Sequence, residues 1–116
     1  LTTEPVITRI IYHLVPADYW AAQPAGELYR PADLAKAGFV HCSPDQETVQ
    51  WVANTSFGDT PGDLLLLAID TRKVTAEIRW EAADERVFPH VYGPLDRGAI
   101  IQIEKVDRTA AGSTRR

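Results

Sequence analysis

Three histidines are the residues best suited to chemistry in this chain. His13 lies in "IIYHLV", His41 in "GFVHCS" and His90 in "FPHVYG". Each stands at or near the end of an apolar extended segment. An imidazole titrates near neutral pH, so it suits proton transfer and the recognition of phosphate or ribose. One such histidine is ordinarily a hydrogen-bonded structural residue. Three in like settings point to one shared pocket. A zinc site of His13, His41 and His90 would combine three imidazoles with a water. The spacing lacks the short paired ligands that mark such a site, and no metal is expected.

The stretch Phe39-Val40-His41-Cys42-Ser43 invites a Cys–His nucleophile. Alternation along a strand rules that pair out, because neighbouring side chains point to opposite faces. A thiolate also needs an electropositive, partly exposed setting, and Cys42 reads instead as a small buried hydrophobe. His41 and Ser43 share a face and could present an imidazole and a hydroxyl to one ligand. Ser43 also fits a helix N-cap, with Pro44 first in the helix and Gln46 completing a capping box. A second set, Arg86, Phe88, His90 and Tyr92, shares parity on an extended chain. It reads either as a ligand wall or as an edge strand held extended by Pro89. Arg30 precedes a helix, where it is either an anion contact or a surface arginine at a cap. Arg79 and Glu81 flank Trp80 and read as a solvated face.

These groups need elements to hold them. Val6–Val15 is rich in β-branched residues and reads as a strand. Its alternation puts Ile7, Ile11 and His13 on one face, Tyr12 and Leu14 on the other. Pro16 and Pro31 each open a short helix, the second ended by Gly38. "FVHC" is a short strand. A helix then runs to about Ser56 with an apolar stripe of Val49, Val52, Ala53 and Phe57. "LLLLAID" reads as a strand buried on both faces. "VTAEIRWE" alternates, with Ile78 and Trp80 turned one way and Glu77, Arg79 and Glu81 the other. "RVFPHVYGPL" and "GAIIQIEKV" are extended. The order predicts an α+β fold with largely antiparallel pairing. One domain is expected over residues 1–116, with a core of about 6–106 and a fraying tail at 107–116.

Composition narrows the partners. The formal net charge of −4 argues against general nucleic-acid binding, which needs a basic face. No apolar run approaches the roughly 20 residues of a membrane helix. "LTTEPV" lacks the pattern of a signal peptide. A single cysteine permits no internal disulfide and fits the reducing cytoplasm. A small molecule is the expected partner, and nothing fixes an oligomeric state.

The motifs "IIYHLVPADYWAA", "GELYRPADLAKAGFVHCSPDQ", "LLLLAID", "IRWE" and "FPHVYGPLDRGAII", in this order, resemble the bacterial proteins grouped as domain-of-unknown-function family 952. That family looks like a distant branch of the ADP-ribosyltransferase-like fold. The resemblance implies split antiparallel sheets around a cleft, with NAD as a substrate. Tyr12-His13 matches a first-strand histidine that contacts the NAD ribose. His41-Cys42-Ser43 is similar to an element of RNA 2′-phosphotransferases. Transferases of this kind often use a late acidic residue. Here the late motif offers His90, and Glu81, the nearest acid, has the parity of solvent.

Residues and resemblance together predict a histidine-lined cleft for ADP-ribosyl or phosphate transfer on a nucleotide-like ligand. His13 would hold a ribose hydroxyl and His41 would contact ribose or phosphate. His90 would act as general acid and base, and Tyr92 would stack on a ring. Tyr12, Arg30, Ser43 and Arg86 would complete the ligand contacts. The rivals are a non-catalytic metabolite-binding domain and an accessory biosynthetic enzyme. The last would have an apolar cleft walled by Trp20, Trp51, Phe88 and Tyr92.

Overall fold

The computed structural model describes residues 10–106. The expected strand residues 6–9 and the tail 107–116 lie outside the described residues. Nine elements follow in the order β1 (Ile10–Pro16), α1 (Ala17–Ala22), α2 (Ala32–Ala37), β2 (Val40–His41), α3 (Gln46–Ser56), β3 (Leu64–Asp70), β4 (Glu77–Ala83), β5 (Arg86–Tyr92) and β6 (Ile100–Val106), besides two short 3-10 turns. The strands form two antiparallel three-stranded sheets, ordered β1-β3-β6 and β2-β5-β4. The α+β antiparallel reading therefore holds.

The unbroken apolar run of β3 explains its central place. One face joins Leu64 and Leu66 to Leu14 of β1 and to Val49 and Ala53 of α3. The other face joins Leu67 and Ile69 to Ile11 and Val15, and this cluster continues into Val40, Cys42 and Val91 of the second sheet. The first sheet is thus covered by α3 on one side and by the second sheet on the other. Tyr29 and Leu95 exchange both backbone hydrogen bonds at 2.9 Å and lie fully buried in the shared cluster. Among the described residues, no helix is long and apolar enough to cross a membrane.

Two expectations need correction. Ser43 is not the cap of α3. The carboxylate of Asp45 accepts from the Thr48 N–H at 2.8 Å, and the helix opens at Gln46. An ionised acceptor aimed at the first turn suits this position better than a hydroxyl. The Ser43 backbone is committed elsewhere, exchanging bonds of 2.7 and 2.9 Å with Tyr12.

Nor is β5 an edge strand; it is central, with Pro89 inside it. Pro89 accepts from the Cys42 N–H at 3.2 Å, so its backbone faces β2. Proline has no N–H to return. The ladder with β2 ends there, while the ladder with β4 runs on undisturbed. Trp80 is 43% exposed, because β4 is the outer strand of its sheet.

Candidate functional site

β1 and β2 meet at one place, the Tyr12–Ser43 bridge. Antiparallel register would next pair Leu14 with His41. That pair is replaced by side-chain contacts. The His41 carbonyl accepts from His13 Nδ1 at 2.7 Å, and the His41 N–H is donated to Asp33 Oδ2 at 3.3 Å. Beside the bridge, between the sheets and α3, lies a cleft of about 750 Å³. Its lining includes all three histidines, Tyr12, Leu14 and Ser43.

His13 has both ring nitrogens engaged. A carbonyl can only accept, so Nδ1 carries the proton, and Nε2 accepts from the Tyr29 hydroxyl at 3.4 Å. Burial lowers the His13 pKa below the usual imidazole value, and the bond to His41 opposes this only in part. Burial also raises the Tyr29 hydroxyl, which keeps it a donor. His13 is therefore neutral and fixed, and it holds the backbone of β2.

The other two imidazoles are arranged differently. His41 and His90 are cross-strand partners with ring centroids 5.4 Å apart. His41 Nδ1 meets Asp33 Oδ2 at 3.0 Å, and His90 Nδ1 meets Glu81 Oε1 at 2.6 Å. Burial pushes Asp33 upward, but the hydrogen bond from the His41 ring, with His13 and the His41 N–H, outweighs it and leaves the carboxyl below its usual range. Glu81 is also lowered, first by the Tyr92 hydroxyl at 2.7 Å and then by His90. Among the described residues, neither His41 nor His90 has a protein partner at Nε2. Each carboxylate thus orients one ring and leaves its far nitrogen for a ligand.

Of the parity set on β5, Phe88 and His90 line the wall of the cleft, and Arg86 and Tyr92 do not. Phe88 stacks against Trp51 at 6.4 Å, and the Arg86 guanidinium sits 4.3 Å over the same indole. Phe39 stacks on His90 at 4.1 Å. Tyr92 lies behind this wall, with its hydroxyl on Glu81, Arg79 4.4 Å over its ring and Phe39 at 5.1 Å. Arg30 stands apart; its carbonyl accepts from the Tyr19 hydroxyl at 3.0 Å, and it does not line the cleft. Trp20 packs on Tyr29, also away from the cleft. Ser43, released from capping, is 5% exposed with no hydroxyl partner among the described residues. Cys42 is buried, and burial raises its thiol, so it is no thiolate. No group of three or more His, Cys, Asp or Glu among the described residues could hold a metal ion.

Sequence reasoning missed Asp33, Phe39 and Glu81. Placing Glu81 in solvent was an error of register, not of alternation. The β4–β5 hairpin turns at Asp84 and Glu85, both with positive φ, and pairs Glu81 with Phe88. Odd residues of β4 therefore share a face with Phe88 and His90. A turn located at those two residues would have revealed it.

Fold and site define a class: an α+β protein of two antiparallel sheets with two carboxylate-oriented imidazoles in the cleft between them. Residues 14–103 match the family model described as protein of unknown function (DUF952), and the chain belongs to that family. It is similar to the crystal structure of protein CC0527 from Caulobacter crescentus, at 30% identity and a TM-score of 0.69, over 84% of this chain and 86% of that one. A double mutant of CC0527 gives the same values. The solution NMR structure of CC0527 gives 28% identity and a TM-score of 0.61, over 84% of each chain. No curated protein matches.

Proposed function

We propose that the chain transfers a ribosyl group from a nicotinamide nucleotide such as NAD, on an ADP-ribosyltransferase-like fold. The observation that carries this reading is the charge of the cleft. Among the described residues, its lining holds the carboxylates of Asp33, Glu81 and Asp84 and no lysine or arginine. Phosphoryl transfer spreads negative charge over equatorial oxygens and calls for cations. Glycosyl transfer instead develops positive charge at the anomeric carbon, which carboxylates stabilise. The cleft suits glycosyl transfer rather than phosphoryl transfer.

Glu81 has the role of the stabilising acid. Its Oε1 is shared by His90 and Tyr92, which leaves Oε2 for the sugar. As the bond from C1′ to nicotinamide breaks, its electron pair leaves with the neutral pyridine. The acceptor hydroxyl bonds to C1′ and yields its proton to Nε2 of His90. His41 takes the ribose contact, while His13 supports it from behind.

Leu14 supplies a second support. The Tyr12 N–H and C=O face Ser43, so alternation turns those of Leu14 toward the same open edge. One donor beside one acceptor complements a primary amide such as that of nicotinamide. Arg86, beside Trp51, is available to the phosphates.

The test is incubation with NAD, with calorimetry for binding and mass spectrometry for released nicotinamide. Release should exceed the protein-free control. Glu81→Gln should lower it on the order of 100-fold while binding persists. Binding without any release would make the chain a metabolite-binding domain, and absence of binding would remove the proposal.

A further inference from the structure

Where the β4–β5 hairpin meets α3, the cleft changes character. Its walls there are aromatic, with Trp51, Phe57 and Phe88 in the lining. Asp84 joins them from the hairpin, and Glu81 lies further inward along β4, opposite Phe88. The last turn of α3, ending at Ser56, carries no basic residue, so the helix itself adds no cation at its negative pole. Ser56 also lines the cleft. The buried Ser43 hydroxyl, 5% exposed and without a partner among the described residues, is a further polar group that a guest could satisfy.

Among the described residues, the charged groups around this region are few. Asp33 and Glu81 each carry an imidazole, and His13 is neutral. Arg86 stands outside the lining, over Trp51, and also feels Asp45. It demonstrates that this indole accepts a cation, and Phe88 and Asp84 line the cleft beside it. Aromatic faces, a carboxylate and a helix C-terminus each favour positive charge, and none favours an anion.

The geometry points to an organic cation, an aryl or alkyl ammonium, as the guest of this part of the cleft. That such a cation, when it also carries a hydroxyl, serves as the acceptor rests on the ribosyl-transfer reading; that it binds does not. Binding can therefore be measured without NAD. Three probes of equal aromatic size, benzyltrimethylammonium, benzyl alcohol and benzoate, are titrated while the NMR signals of Trp51, Phe57 and Phe88 are followed. The ammonium should bind about 5-fold or more tightly than the alcohol, with benzoate weakest.

Asp84→Asn should remove most of that preference and leave the alcohol unchanged. Asparagine tolerates the left-handed backbone of Asp84, at φ 51, so this variant keeps the hairpin. Benzoate binding as well as the ammonium, an Asp84→Asn variant that keeps the full preference, or silence of all three probes at millimolar concentration overturns the inference. Ammonium binding in a protein that releases no nicotinamide upholds the cation site and sinks only the ribosyl-transfer reading.

Discussion

β1 pairs with β3 over seven positions, whereas β2 pairs with β5 over two. In the first sheet, peptide groups satisfy one another, and β3 is held from both sides. At His41 in the second sheet, the peptide groups that face away from β5 are satisfied by the side chains of His13 and Asp33. The difference teaches where this fold keeps stability and where it keeps adjustable geometry. A ladder is set by backbone and tolerates many side chains. An edge held by two titratable side chains depends on those residues and on their protonation.

The comparison can be broken hardest at β3. Leu67 is fully buried at the centre of the first sheet and shared with residues of the second. Leu67→Ala should cost about 2–5 kcal/mol of stability, the usual range for a buried leucine whose site cannot collapse. Urea denaturation followed by tryptophan fluorescence checks it; a loss below about 1 kcal/mol would deny β3 its central role.

His13→Asn probes the side-chain-held edge. The amide keeps a donor for the His41 carbonyl and leaves the Tyr29 hydroxyl without its acceptor. A loss of about 1–3 kcal/mol is expected at neutral pH. The pH dependence is the sharper readout. Burial lowers His13 below 6.5 in the folded state, so between that value and 6.5 the unfolded chain binds more protons. The stability supplied by neutral His13 is present above about 6.5 and is lost as pH falls below it. His13→Asn should remove that part of the slope. The lowered carboxylates Asp33, Asp45 and Asp96 act in a separate, more acidic window. Their contribution is present above 3.8 and is lost as pH falls through their folded values. Parallel wild-type and variant curves between pH 7 and 5 would mean that His13 carries its charge in the folded state.

Much of the first sheet was legible in the sequence, and less of the second. The "LLLLAID" run, the α3 stripe and the left-handed Gly38 at the end of α2 follow from local pattern and backbone preference, and all three appear. Alternation alone also placed His41 and Cys42 on opposite faces. The failures share one cause. Ser43, Glu81 and the strand position of Pro89 depend on what lies across a ladder, and a single strand carries no record of its partner. Asp33 lies eight residues before His41, on a different element, and only the fold brings its carboxylate to that ring. The histidines could be found because their residue type is rare here. Their carboxylate partners could not, because 16 acidic residues give no reason to single out two.

The smallest expected effect separates the two arginines that the sequence offered as ligand contacts. Arg30 is exposed, and among the described residues only its carbonyl has a partner, in the Tyr19 hydroxyl. Truncation leaves that carbonyl in place, so Arg30→Ala should change stability by no more than about 0.5 kcal/mol. NAD affinity by calorimetry should stay the same. Arg86 instead lies over Trp51, which lines the cleft, while standing outside the lining itself. Arg86→Ala should weaken NAD several-fold, and more so at low salt, where a partly exposed charge acts over a longer range. The ratio of the two effects is the informative quantity. If Arg30→Ala weakened NAD as much as Arg86→Ala, the ligand would extend past the α2 end of the molecule. The aromatic wall of β5 would then be only one part of its binding surface.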